Sequence, residues 1–167
     1  MIMFHETFCV RSEKHKPVFH NVTAKVRDAV SRSGAKDGLV TVFSQHTTCS
    51  VILQEESHDS TLDGTEFLMQ DLLNALAKFI PPCGHEGQYL HPGPLHLKHA
   101  VGNLGEEGWW SLNTDAHLRS CILGRSQIIP VRDRSLVLGE FGQIYFVDFD
   151  SVRQRERKVF VQIMGSA

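Results

Sequence analysis

The sequence predicts an α+β fold, a single-domain layered sandwich with a mostly antiparallel sheet over 1–167. Three observations predict it. Seven short runs rich in β-branched and aromatic residues are joined mainly by tight connections, which favour antiparallel pairing. Two longer stretches repeat apolar residues at helical spacing between recognisable start and stop signals. The 167 residues, 41% apolar and 22% charged, suit one well-formed core.

The first strand is expected over 2–10, where apolar and polar residues alternate loosely. Val22, Val26, Ala29 and Val30 form the apolar side of a first helix, with Asn21 or Thr23 as cap and Gly34 as terminator. Runs over 39–43 and 49–53 read as buried strands. A second helix over 65–79 presents Phe67, Leu68, Leu72, Leu73, Leu76 and Phe79 on one face and stops at Pro81-Pro82. From 83 to 110 the pattern dissolves into Gly, Pro and His, as in a functional lid or a family-specific insertion. Asp115 is positioned to cap a short helix over 116–123 that Gly124 closes. Four strands follow, over 127–131, 135–138, 143–149 and 158–164, and the helices are expected on one face of the sheet.

A net charge of -2 argues against broad capture of nucleic acid or of an anionic membrane surface. No apolar run approaches the about 20 residues of a membrane helix, and 1–10 does not read as a secretion signal. The four cysteines include no Cys-x-x-Cys pair, so reduced thiols and a cytoplasmic location are expected. The ten histidines direct attention to metal or proton chemistry.

Two stretches concentrate that chemistry. Ser44-Gln45-His46-Thr47-Thr48-Cys49-Ser50 interrupts two apolar runs, so it lies at a strand end, as a hairpin connection or as part of a site. His117 falls in the first turn of the 116–123 helix, where the positive helix end favours a neutral, metal-ligating imidazole. Arg119 and the free amides of that helix start suit a phosphate or carboxylate; an ordinary exposed helix start is the alternative. In a hairpin, Glu55 would return beside His46 and orient it or accept a proton. The basic run over 153–158 reads first as a solvated turn and second as an anion site. Nucleotide-binding glycine motifs and the Gly-x-Ser-x-Gly elbow are absent, and Cys49 has no evident orienting partner for thiol catalysis.

The ordered motifs His-Thr-Thr, Leu-Gln-Glu, Asp-Ala-His-Leu-Arg-Ser, Leu-Gly-Arg-Ser, Ile-Pro-Val and Leu-Gly-Glu-Phe-Gly-Gln-Ile-Tyr resemble the YjbQ family over about 39–165. The resemblance implies a homotrimeric α/β sandwich with a histidine site near subunit boundaries that binds a divalent metal, zinc being the expected ion. It implies His46, His99 and His117 as metal ligands, His99 standing for a family histidine in a Tyr-x-His context and His96 as its substitute. Glu55 and His117 would be catalytic; Thr47, Thr48, Arg119 and Ser126 would hold the substrate. Three neutral imidazoles leave an open position on a zinc-type ion, which polarises a phosphate oxygen or activates water. The implied activity is a metal-dependent enzyme on a small phosphorylated molecule, either a thiamine-phosphate synthase-like transferase or a phosphate-ester hydrolase. The alternative is a non-catalytic trimer that binds a metal or an anion. This chain departs from the family in Glu55-Glu56, in Trp109-Trp110, and in the 139–143 turn.

Overall fold

The computed structural model describes residues 1–167 and contains eight strands, four α-helices and one 3-10 turn. The pairing is antiparallel, as expected, but it makes two sheets instead of one. The larger has the order β1 (Ile2–Arg11), β8 (Glu156–Ser166), β3 (Asp37–Ser44), β5 (Ser126–Arg132) and β6 (Ser135–Leu136). The smaller has β2 (Val18–Asn21), β7 (Gly142–Asp148) and β4 (Cys49–Glu55).

The central strand of the small sheet explains the layering. β7 is buried continuously from Ile144 to Asp148, so its alternating side chains serve two cores. Ile144 and Phe146 join Val40, Val42, Val161 and Ile163 of the large sheet, together with α1 (Thr23–Ser33). Tyr145 and Val147 turn the other way, onto Met69 and Leu76 of α2 (Phe67–Ala77) and Ala116 of α4 (Thr114–Leu123). The helices are therefore divided between two layers and do not collect on one face. No helix is long and apolar enough to cross a membrane.

Local signals were obeyed at α1. The Thr23 N–H donates to Asn21 Oδ1 at 3.1 Å, and Gly34 at φ 72° ends the helix in a conformation that costs other residues more. In α2 the buried face centres on Met69 and Leu76, and the expected core residues Phe67 and Phe79 are exposed. The 83–110 stretch is not structureless. It contains α3 (Pro94–Leu104) and a 3-10 turn (Gly108–Ser111). Pro94 opens α3, where its missing N–H would have had no helical partner and its fixed φ suits the first turn. Asp115 lies inside the first turn of α4, and Asn113 takes the cap position.

The connection from β3 to β4 is not a hairpin. β3 belongs to the large sheet and β4 to the small one, so Ser44 to Cys49 carries the chain between layers. The β7–β8 connection crosses in the opposite sense. Both crossovers lie at one end of the sandwich, because Cys49 pairs with Asp148 and Ser44 with Val159.

Candidate functional site

Between the crossovers lies a cavity of about 320 Å³, bounded also by α4 and by the 94–111 segment. Its floor is a buried ion-pair system. Arg157 donates through Nε to Asp148 Oδ2 at 2.6 Å and through Nη2 to Oδ1 at 3.1 Å, a bidentate fit. The same Nη2 donates to Thr48 Oγ1 at 3.1 Å, tying the first crossover to β8. Asp148 is fully enclosed and Arg157 is 4% exposed, so each ion depends on the other for its solvation.

Asp150 repeats the arrangement two residues further along the chain. Its Oδ2 accepts from Arg155 Nη2 at 2.6 Å and from Asn113 Nδ2 at 3.0 Å. Its Oδ1 accepts from the Val152 N–H at 3.1 Å. Arg153 pairs with Glu106, and its guanidinium lies over the Trp110 ring, 4.0 Å from the centroid. Arg153, Arg155 and Arg157 all line the cavity. The Nε–H groups of Arg153 and Arg155 are buried without an acceptor, an uncommon state for a polar atom.

The imidazoles gather on the other side. His117, in the first turn of α4, is pushed toward the neutral form by burial, with Asp150 opposing. The ring of His91 lies 5.6 Å from that of His117 and 4.5 Å from that of His96. Thr114 Oγ1 donates to the His91 carbonyl at 2.6 Å and fixes this neighbour beside α4. Burial, then His96 and His117, lower the His91 pKa, and its Nε2 is buried without a partner. His46 Nε2 accepts from the Lys158 N–H at 2.9 Å, so a neutral ring carries its proton on Nδ1. Burial and then Arg157 lower the His46 pKa.

Of the residues expected in a site, the cavity brings together His46, Thr47, Thr48 and His117. His99 is exposed on α3 outside the cavity, and His96 takes its place in the lining. Glu55 ends β4 exposed, opposite Gly142. It stands six residue steps along β4 from Cys49, roughly 20 Å of strand; the expected return beside His46 required a hairpin that does not exist. Arg119 is buried outside the cavity, its Nη2 donating to the Ile80 carbonyl at 2.8 Å and lying 3.5 Å from Asp115 Oδ2. Ser126 is exposed at the start of β5, opposite Phe43. The ligand set His46, His99 and His117 is thus not assembled, and no group of three or more His, Cys, Asp or Glu side chains is in position to hold a metal ion. Burial pushes the Cys49 thiol well up, which removes it as a nucleophile.

Sequence reasoning did not single out His91, Asp148 or Asp150, and for the run that holds the three arginines it ranked an anion site second to a solvated turn. A signal for His91 was present, since Tyr89-Leu90-His91 is itself a Tyr-x-His. Arginines at every second position over 153–157, just after two acids in an apolar strand, were the other signal.

The family model for YjbQ-like UPF0047 proteins matches residues 6–166. The chain belongs to the YjbQ/UPF0047 family. A UPF0047 protein of Methanocaldococcus jannaschii is 28% identical over 145 residues, covering 87% of this chain and 83% of that one. A UPF0047 protein of Archaeoglobus fulgidus is 30% identical over 131 residues, covering 78% and 82%. The solved structure of a YjbQ/UPF0047 protein from Clostridium acetobutylicum superposes with a TM-score of 0.69 at 28% identity, covering 95% of this chain and 99% of that one. A YjbQ-like structure from Sulfolobus solfataricus, described as of unknown function, gives a TM-score of 0.68 at 27% identity, covering 98% and 99%. The two-sheet sandwich described above is thus the YjbQ fold.

Proposed function

We propose that this YjbQ-family protein is an enzyme that binds a small phosphorylated molecule in the cavity between the crossovers and acts on its phosphate. The arginine row carries this reading. Arg153, Arg155 and Arg157 each engage a carboxylate and still line the cavity, and two buried Nε–H groups await an acceptor. A phosphate would supply oxygens to these donors, with Thr47 and Thr48 beside it. His117, held neutral, is suited to accept a proton from an attacking group or to return one to a leaving oxygen.

A zinc-type divalent ion belongs to the same reading; His91, His96 and His117, which do not form a ligand set as they stand, would be the nitrogen donors after side-chain rotation. Two imidazoles sharing a tetrahedral ion at about 2.0–2.1 Å have centroids about 5 Å apart. The observed 4.5 and 5.6 Å bracket that figure, and the unpartnered His91 Nε2 favours a ligand there. The rings would have to turn for their donor atoms to converge. Bound there, the ion would polarise a phosphate oxygen or make bound water acidic. Phosphate-ester hydrolysis and a thiamine-phosphate synthase-like transfer with loss of diphosphate are the two reactions to test.

Self-association as a homotrimer is also proposed. Met3, Met164 and Leu39 stand side by side on the outer face of the large sheet, with Phe160 and Ile128 nearby, and all five are exposed. An apolar sheet face of this kind is suited to burial against other copies. Light scattering should then give three times the 18.8 kDa chain mass; a monomer would remove this part.

The activity test uses protein stripped with a chelator and reloaded with zinc. Release of phosphate or diphosphate from phosphate esters, or from paired pyrimidine diphosphate and thiazole phosphate, is expected only when the ion is present. If nothing is released but inorganic phosphate binds, the chain is a binding protein. Loss of both overturns the reading.

A further inference from the structure

Trp110 is the single hydrophobic residue among the thirteen that line the cavity. It lies on the 3-10 turn and belongs to neither apolar core. An indole bordering an otherwise polar cavity has little to gain from water and much to gain from a flat partner. Arg153 already stacks on it at 4.0 Å, and Glu106 holds that guanidinium in place. Trp109 stands nearly edge-on at 6.0 Å but does not line the cavity. A flat, π-rich pair therefore adjoins Arg155 and Arg157 within about 320 Å³, which is near the small end of ligand pockets at roughly 300 Å³.

Resting on the phosphate reading above, we infer that Trp110 selects phosphorylated ligands that carry a planar aromatic or heteroaromatic ring. The ring stacks against the Trp110–Arg153 pair while Arg155 and Arg157 hold the phosphate. Both members of the pair suit this task, since indoles and guanidinium planes each stack on ring systems. A ring joined closely to its phosphate matches the cavity size; a long flexible chain does not. Stacking of this kind favours an aryl over an alkyl phosphate by about tenfold.

The chain has two tryptophans, so Trp109→Phe leaves Trp110 as the only indole and changes nothing in the cavity lining. That variant is titrated with inorganic phosphate, phenyl phosphate and glycerol phosphate, by fluorescence and by calorimetry. Phenyl phosphate is expected to quench Trp110 and to bind about tenfold more tightly than glycerol phosphate. Trp110→Leu should bring the ratio of the two affinities to about one, and Trp110→Phe should keep part of it. Equal binding of the two esters by the Trp109→Phe protein overturns the inference. So does an equal loss for both esters in Trp110→Leu, which would make Trp110 only a support for Arg153. If phosphate binds without an aryl preference, this inference alone falls. If none of the three binds, the phosphate reading falls first.

Discussion

Arg119 and Arg157 are enclosed to nearly the same degree, 3% and 4% exposed, and each has a carboxylate within reach. Arg119 is in the middle of α4 and donates through Nη2 to the Ile80 carbonyl, which fastens the segment after α2 to α4. Arg157 is on β8 where the two sheets exchange strands, and its guanidinium reaches Asp148 and Thr48 at the edge of the cavity. Burial and charge alone do not tell these roles apart. The surroundings do: a helix interior surrounds one arginine with its own fold, whereas a crossover between sheets leaves a gap beside the other.

Removing either arginine should separate the roles. The largest effect is expected for Arg157→Ala, which leaves Asp148 buried and unpaired at a cost of about 3–5 kcal/mol. Urea denaturation would measure that loss, and replacing both members by Leu and Met should cost less than the single change. Arg119→Met is expected to cost about 1–3 kcal/mol through the unsatisfied carbonyl. Its affinity for inorganic phosphate should stay within about twofold of the native value, because hydrogen bonds to a distant backbone do not touch the ligand. A matching fall in affinity for Arg119→Met would erase the distinction. Arg155→Gln should show the reverse balance, with about tenfold weaker phosphate binding from one lost charge-assisted contact and a smaller stability change. Calorimetry on the two variants compares them directly.

The smallest effect concerns pH. Burial lowers the pKa of His46, His91 and His117 in the folded protein, whereas an unfolded imidazole titrates near about 6.5. Acid therefore favours the unfolded chain. Their contribution to stability is complete above about pH 6.5 and is lost as pH falls through the lowered folded values. The urea midpoint of ion-free protein should drop between pH 7.5 and pH 5, and His117→Asn should flatten that slope. A midpoint that rises toward pH 5 would contradict the electrostatics of the cavity.

Much of the fold was readable because it rests on local chemistry. The Val22, Val26, Ala29 and Val30 spacing and the Gly34 stop located α1, and the apolar run over 144–147 located β7. What could not be read was which sheet each strand joins, since alternation encodes a buried face and not the neighbour. That gap produced the errors at the site. Assuming a hairpin brought Glu55 to His46, when β4 carries it away. The Gly, Pro and His content of 83–110 hid α3, although proline at the opening turn is compatible with a helix. His46 and His117 were legible as polar residues where the pattern wanted something else. Arg153, Arg155 and Arg157 read first as a solvated turn because Asp148 and Asp150, although unusual beside an apolar strand, give no sign across a turn of pairing with Arg157 and Arg155. Asp115 and Arg119 did give such a sign, being four apart on one helix.

The two-faced β7 has a consequence for how this chain can change over generations. A one-residue slip of β7 would exchange its contributions to the two cores, sending the Tyr145 hydroxyl toward the large sheet and taking it from Glu66. The 56–66 and 83–93 connections carry no such double duty, and length variation among descendants can accumulate there. Strand β7 is the part of the chain whose residue count is locked.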